Sequence, residues 1–295
     1  MNKFKENYLF FITILLFIII FILFAYFLLQ KNNNIDKSII RLASLSPSIT
    51  EYIYDTGIDK YLIADTTYCN YPEDAKHKEK IGSFNDVNYE QIAKLKINTV
   101  IIQQNMQAQK EKLESMGIKV IEINNNTIND ILNAYDILGN EFNIKNITDK
   151  RKNQIQEKIE NIKKSLPKNK KENSAVISIF RNYGSEISTF TAAGGNNLYN
   201  DILEILNIDN PLKNFPPYTE ISKESILKIN PAFIFDMYHG NDYKDAQKDW
   251  ADMPLKAVKN NDVIILYENY LSLPGPRIDL IIEKFAHEYI SNLND

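Results

Sequence analysis

Residues 84–100 read FNDVNYEQIAKLKINTV, and residues 218–234, which begin 134 positions later, read YTEISKESILKINPAFI. Aligned without a gap, the two copies share three identities: Glu90 with Glu224, Ile92 with Ile226, and Lys94 with Lys228. Six further pairs keep their chemical type: Phe84/Tyr218, Asp86/Glu220, Val87/Ile221, Asn88/Ser222, Leu95/Ile229 and Val100/Ile234. Each copy reads aromatic, acid, aliphatic, helix cap, glutamate, helix and strand. A period this long with two copies is not a solenoid, so the duplication predicts two similar lobes.

Outside the repeat, short apolar runs alternate with amphipathic stretches, a pattern typical of α/β proteins. The apolar runs predict strands at 39–45, 61–64, 99–102, 120–123, 175–180, 233–236 and 263–266. The amphipathic stretches predict helices at 88–95, 107–116, 127–138, 147–166 and 277–293. A further helix should begin at Ser46 and Pro47, a cap and a first-turn proline, and stop at Gly57.

The predicted helix at 147–166 lies between the two copies of the repeat and is heavily charged. Its apolar residues recur at spacings of three and four: Ile155, Ile159, Ile162 and Leu166. Pro167 ends it. We therefore predict an N-terminal α/β lobe at 39–145, a connecting helix at 146–170 and a C-terminal α/β lobe at 171–295.

The N-terminal stretch from Tyr8 to Leu29 holds 22 residues without a charge. As a helix it would span about 33 Å, enough to cross a hydrocarbon core of about 30 Å. No small-residue cleavage site and no lipid-accepting cysteine follows it. We expect residues 1–31 to form an uncleaved signal anchor, followed by a polar linker at 32–38. A signal peptide cut at an atypical site is the alternative.

The charges beside this stretch leave its orientation open. Lys3 and Lys5 precede it, whereas Lys31, Lys37 and Arg41 follow it, and the positive-inside rule counts both flanks.

Composition argues against a nucleic-acid partner. The chain has 295 residues and a net charge of −4, and its 17 Tyr and 15 Phe are not interleaved with basic clusters. Cys69 is the single cysteine, so no disulfide can form within the chain, and a free structural thiol is the expectation.

Enzyme signatures are missing from the sequence. There is no Gly-x-Ser-x-Gly elbow, phosphate-binding loop, His-Glu-x-x-His or Gly-x-Gly-x-x-Gly. His77, His239 and His287 are scattered along the chain, so we predict no catalytic residues and no metal-binding residues, although one acid with one histidine remains open.

The repeat places Glu90 and Glu224 in the first turns of equivalent helices. Such carboxylates often do no more than stabilise a helix N-terminus. Presented by two similar lobes, they could also pair with arginines of a two-fold symmetric partner.

Aromatic residues cluster in predicted loops at the carboxyl ends of strands, where open α/β sheets bind ligands. They are Tyr68, Tyr71, Phe84, Tyr218 and Tyr238, the last followed by His239. Aromatic rings that face each other across two lobes would suit a large flat ligand. Ordinary loop packing is the alternative for each ring.

Five motifs stand in a familiar order: RLASLSPSITE at 41–51, YCNYP at 68–72, IGSF at 81–84, YTEISKE at 218–224 and PGPR at 274–277. The same motifs occur in the same order in the solute-binding proteins of ABC importers for cobalamin, iron-siderophores and haem. The chain resembles these proteins over roughly residues 39–290.

The resemblance implies two Rossmann-like lobes joined by one rigid helix. It implies that Glu90 and Glu224 dock on arginines of the permease dimer, and that Tyr68, Phe84 and Tyr218 line the ligand site. For haem, a tyrosine or His239 could be an axial ligand.

We therefore expect a monomeric binding protein without a cofactor of its own, anchored by a single helix with its lobes on the extracytoplasmic side. Its ligand would be a metal chelate, a corrinoid such as cobalamin first, then a ferric siderophore, then haem. A tethered α/β enzyme and a module that only binds other proteins are the alternatives from other classes.

Overall fold

The computed structural model describes residues 40–167, 173–239 and 243–294. The predicted anchor at 8–29 and the linker at 32–38 lie outside these residues. Among the helices that are described, none is long and apolar enough to cross a membrane.

The first half of the fold is a parallel sheet of five strands in the order β3-β2-β1-β4-β5. The strands are β1 (Leu42–Ser44), β2 (Leu62–Asp65), β3 (Glu79–Lys80), β4 (Thr99–Gln103) and β5 (Lys119–Ile123). Its helices are α1 (Pro47–Asp55), α2 (Tyr89–Lys94), α3 (Gln107–Ser115) and α4 (Ile128–Glu141). This half has its own apolar core, built from residues such as Leu45, Val100 and Ile102.

Local signals fix the helix ends in this half. The Ser46 hydroxyl accepts a hydrogen bond from the Ile49 N–H at 3.3 Å, with Pro47 in the first turn. Gly57 follows the helix with φ +70°, a conformation that favours glycine. Thr127 and Asp130 form a reciprocal capping box on α4.

The second half follows the connecting helix α5 (Lys145–Ser165) and contains a sheet in the order β10-β9-β6-β7-β8. The strands are β6 (Ala175–Phe180), β7 (Thr189–Ala193), β8 (Tyr218–Ser222), β9 (Phe233–Met237) and β10 (Val263–Leu266). Its helices are α6 (Leu198–Ile205), α7 (Lys223–Ile229), α8 (Tyr243–Ala251), α9 (Lys256–Lys259) and α10 (Ile278–Asn294).

This second sheet corrects the expectation of two Rossmann-like lobes. Strands β6, β9 and β10 are parallel, but β7 is antiparallel to both β6 and β8. Strands β6 and β7 are joined by residues 181–188 without a helix, and so short a connection can only return the chain antiparallel. The α/β class is confirmed, with one parallel and one mixed sheet.

The repeat is confirmed in the structure. Asn88 caps α2 through the Gln91 N–H at 2.9 Å, and Ser222 caps α7 through the Ser225 N–H at 3.2 Å. The equivalent residues Ile92 and Ile226 are fully buried in the two separate cores. The strands that follow, β4 and β9, begin 134 residues apart, as the alignment requires.

Helix α5 is bonded to both halves. Arg151 donates to Asp55 on α1 at 3.3 Å, to both carboxylate oxygens of Asp279 on α10 at 3.1 Å, and to the Pro276 carbonyl at 2.8 Å. A second link joins the halves directly, because Asp201 on α6 accepts from the Ile128 N–H at the start of α4 at 2.8 Å. The division into lobes 39–145 and 171–295 around 146–170 stays a prediction.

Candidate functional site

Residues 66–78, between β2 and β3, carry two of the predicted ligand-binding tyrosines, and we call them the aromatic loop. Tyr68 is 68% exposed and Tyr71 is 50% exposed, so their rings are not used in core packing. Phe84 is half-buried against the first core. Its loop is adjacent, since the Thr67 N–H donates to the Gly82 carbonyl at 2.9 Å. The structure therefore brings these three rings into neighbouring loops.

Arg277, at the end of the PGPR motif, connects the aromatic loop to the second half. Its guanidinium carbon lies 4.3 Å from the centroid of the Tyr71 ring and 5.5 Å from that of Tyr270. The same guanidinium donates to both oxygens of Glu51 on α1, with Nε at 2.8 Å. The preceding chain passes so close to α1 that a Cβ on Gly275 would lie 3.2 Å from the Cβ of Ser48.

The Glu51–Arg277 pair is largely out of water. The Glu51 side chain is 3% exposed and that of Arg277 is 18% exposed. Burial raises the pKa of Glu51, and the hydrogen bonds and charge of Arg277 partly oppose this shift. The cation next to Tyr71 is therefore already neutralised by a buried carboxylate.

The sequence predicted that Tyr218 lies in a loop at the carboxyl end of a strand, and this prediction is wrong. Tyr218 is the first residue of β8 and pairs in register with Ala193, because the aliphatic and polar residues that follow it continue the antiparallel ladder. Its ring is 50% exposed.

Tyr218 is linked to the Arg277 region through α6. The side-chain amide of Asn197, which caps α6, donates to the carbonyl of Pro217, next to Tyr218, at 2.5 Å. Burial, and secondarily the nearby phenol of Tyr218, raise the pKa of Tyr199. The Tyr199 hydroxyl donates to the Leu271 carbonyl at 2.9 Å, next to Tyr270 in the chain. The segment from Leu271 to Arg277 therefore contacts the Tyr71 ring directly and is joined to the neighbour of Tyr218 through α6.

Tyr238 and His239, after β9, belong to a separate network. Tyr238 is buried and makes an edge contact with the Tyr183 ring at 4.5 Å. The His239 Nε2 lies 3.0 Å from the Ile179 carbonyl oxygen. Strand β9 is three strands from β8, about 14 Å at roughly 4.8 Å per strand, so the structure does not bring these residues together with Tyr218.

Sequence reasoning missed the group that supports this network. Arg181 is fully buried and donates to Asp236 at 2.8 and 3.0 Å and to Asp249. Its guanidinium also lies 4.5 Å from the Tyr183 ring centroid. No local signal marks this pairing, because the partners are 55 and 68 residues away. Three exposed rings near strand termini were also missed: Phe180, Phe215 and Tyr267.

Glu90 and Glu224 occupy equivalent exposed positions in the first turns of α2 and α7. Backbone and Ser222 hydrogen bonds to its carboxylate lower the pKa of Glu224. Both carboxylates are available to a partner. Cys69 is a buried free thiol, as predicted. Within the described ranges, no group of three or more His, Cys, Asp or Glu side chains is arranged to hold a metal ion.

The family model described as periplasmic binding protein matches residues 42–270, and the chain belongs to that family. It is 26% identical over 261 residues to a vitamin B12-binding protein of Vibrio vulnificus, covering 85% of this chain and 90% of that protein. It is 23% identical to an uncharacterized ABC transporter substrate-binding lipoprotein of Bacillus subtilis, covering 87% and 82%.

Solved structures share the fold. A possible iron-binding, periplasmic solute-binding protein of Staphylococcus epidermidis superimposes with a TM-score of 0.74 at 24% identity, covering 86% of this chain and 99% of that one. The periplasmic haem-binding protein HutB of Vibrio cholerae superimposes with a TM-score of 0.71 at 17% identity, covering 84% and 98%.

The buried Glu51–Arg277 pair gives a stability prediction. Replacing Arg277 by Ala leaves a buried carboxylate uncompensated and should lower the free energy of unfolding by roughly 3 kcal/mol. Adding Glu51→Gln should recover at least about 1 kcal/mol, since the orphaned charge is gone. Burial raises the folded-state pKa of Glu51, so the deficit of the single variant should shrink as pH falls. Urea unfolding at two pH values measures this, and a double variant as unstable as the single one would contradict it.

Proposed function

We propose that this chain is an extracytoplasmic solute-binding protein that delivers a metal chelate, a corrinoid such as cobalamin in the first place, to an ABC importer. The observation that carries the proposal is the set of exposed rings on two sides of one junction. Tyr68 and Tyr71 belong to the first half and Tyr218 belongs to the second. The segment from Leu271 to Arg277 contacts Tyr71 through Arg277, and its Leu271 carbonyl accepts from Tyr199 on α6, the helix whose cap Asn197 bonds to Pro217 beside Tyr218. Exposed aromatic faces presented by two sheets suit a large planar ligand.

The electrostatics of the junction favour a corrinoid. The guanidinium in contact with Tyr71 is already paired with Glu51. Beside this pair, Ser48 lies against Gly275 and accepts from the side-chain amides of Gln103 at 2.9 Å and Asn125 at 3.1 Å, three groups without charge. Rings and amides match a ligand whose periphery carries amide groups. A ligand rich in carboxylates would instead need free cations.

Haem and ferric siderophores remain the alternatives in the same class. The exposed Tyr68 phenol is a group that ligates ferric iron. His239 is a weaker candidate axial ligand, because its Nε2 lies at hydrogen-bonding distance from the Ile179 carbonyl. The relatives are named for binding rather than for catalysis, which supports a binding protein over a tethered enzyme.

The proposal includes the partners. Glu90 and Glu224 would dock on arginines of a two-fold symmetric permease, and residues 8–29 would anchor a monomer to the membrane with its lobes outside. A tether keeps the receptor at a high effective concentration near its permease. The Bacillus subtilis relative, named as a lipoprotein, supports a membrane-held receptor.

The ligand experiment titrates the full chain in detergent with hydroxocobalamin, haemin and a ferric siderophore, following protein fluorescence. We expect hydroxocobalamin to bind tightest. Tyr218→Ala and Phe84→Ala should each weaken it by about fivefold, because an aromatic contact contributes on the order of 1 kcal/mol beyond area burial. Tyr61→Ala is the control, because it removes a ring that stacks on Phe142 just before β2, at the end of that strand opposite the aromatic loop. Unchanged affinity in both site variants would place these rings outside the site.

The docking experiment removes the charges of Glu90 and Glu224 together. The double alanine variant should bind the reconstituted permease more than about tenfold more weakly, since each charge-assisted contact contributes roughly 1.5 to 3 kcal/mol. Ligand affinity should stay within about twofold, and the two single variants should behave alike. Asp86→Ala with Glu220→Ala is the matched control, because these are the other exposed acids of the repeat. If the Glu90/Glu224 variant binds the permease as tightly as the wild type does, the docking role is wrong and both residues only stabilise the N-termini of their helices.

A further inference from the structure

Under its middle, the aromatic loop is bonded to the first sheet by the ammonium group of Lys80. Lys80 Nζ donates to the Asp65 Oδ1 at 2.6 Å, to the Ala75 carbonyl at 2.9 Å and to the Cys69 carbonyl at 3.3 Å. Cys69 and Ala75 lie on either side of Tyr71 in the chain. One cation therefore satisfies two carbonyls of the loop and one carboxylate of the sheet.

Asp65 holds this cation in place. It is the last residue of β2, pairs in register with Lys80 of β3, and has a fully buried side chain. Its second oxygen, Oδ2, has no hydrogen-bond partner among the described residues. A buried carboxylate with one oxygen unsatisfied depends on its ion pair, because the alternative is an uncompensated charge away from water.

Other contacts hold the ends of the loop. The Thr67 N–H donates to the Gly82 carbonyl at 2.9 Å, and the Lys78 ammonium donates to the Leu62 carbonyl at 3.0 Å. Between these ends the chain leaves the sheet ladder, and it carries Tyr68 and Tyr71 in exposed positions. Lys80 is thus a cross-link under the middle of the loop.

We propose that Lys80, fixed by Asp65, is a positioning residue that holds Tyr68 and Tyr71 in their binding orientation, and that protonation of Asp65 loosens this hold. The part that concerns ligand binding rests on the proposed function. The part that concerns the loop does not.

The environment of Asp65 sets the pH at which its protonation loosens the loop. Burial raises the pKa of Asp65 to about 6, against the opposing effects of Lys80 and Lys78. The other titratable groups that interact with it electrostatically are Cys69 in the loop and Tyr54 on α1. As pH falls through this value the carboxylate takes up a proton and Lys80 loses its counter-charge. Because the folded pKa is above the unfolded one, this protonation does not destabilise the whole fold; the loosening is local.

The first test measures hydrogen exchange of residues 66–78 in the full chain without ligand. Lys80→Met should raise exchange of the loop by about tenfold, the effect of losing a charge-assisted hydrogen bond, and leave β4 unchanged. Lys80→Arg should restore most of the protection. Lys110→Met is the matched control, because Lys110 pairs with Glu122 in the same half and lies outside the loop. Wild-type exchange in Lys80→Met, or an equal rise in Lys110→Met, would overturn the proposal.

The second test measures hydroxocobalamin affinity. Lys80→Met should weaken binding by about tenfold. Adding Tyr71→Ala should weaken binding only slightly further, because both changes remove the same contact of the positioned loop with the ligand. Raised loop exchange with unchanged affinity would overturn the positioning role. If the wild-type chain binds neither corrinoid, haemin nor ferric siderophore, the proposed function fails, and loop exchange still decides whether Lys80 holds the loop.

The third test is the pH profile. Wild-type affinity should fall as pH is lowered through the pKa of Asp65, about 6, whereas Asp65→Asn should bind weakly with a flat profile across that range. The free energy of unfolding of the wild type, relative to Asp65→Asn, should rise over the same interval. Parallel profiles for the two proteins would overturn the pH dependence. If Asp65→Asn does not fold, hydrogen exchange of the loop in the wild type tests the pH dependence instead. After correction for intrinsic rates, loop exchange should rise as pH is lowered through the same interval.

Discussion

Two carboxylates one helical turn apart on α1, Glu51 and Asp55, join the halves of this protein. Glu51 pairs with Arg277 of the second half, and Asp55 with Arg151 of the connecting helix. Arg151 also binds Asp279 on α10. The Glu51 carboxylate is buried, so its pair with Arg277 is costly to break, and guanidinium–carboxylate pairs are specific in geometry. These contacts therefore fix where the aromatic loop lies relative to the last helix. The proposed ligand site therefore depends on an acidic face of one short helix.

Much of the fold could be predicted because its signals are local. The caps Ser46, Asn88 and Ser222 precede their helices in the sequence, and the apolar runs of the parallel strands read as continuous strand signals. Strands β7 and β8 could not be found this way. Thr189–Ala193 is partly exposed, and Tyr218–Ser222 looks like the approach to a helix; their pairing with each other makes them strands.

The site could be predicted in part for the same reason. The exposed rings of Tyr68 and Tyr71 lie in a loop that the sequence already marked, whereas Arg277 meets Glu51 across 226 residues. For Tyr238 the local signal misleads. A tyrosine directly after a strand is typical of a ligand contact, but in the structure its ring packs against Tyr183. Contacts between residues that are distant in the chain decide which of the predicted site residues come together. A single sequence gives no signal for such contacts.

In the proposed complex, a corrinoid lies against rings from both halves beside Arg277. Anomalous diffraction at the cobalt absorption edge, from crystals grown with cyanocobalamin, tests this placement most directly, because the metal is located without assuming a pose. We expect one cobalt peak between the aromatic loop and Tyr218. A peak beside Tyr238 and His239, or no cobalt bound to the protein at saturating ligand, would contradict it.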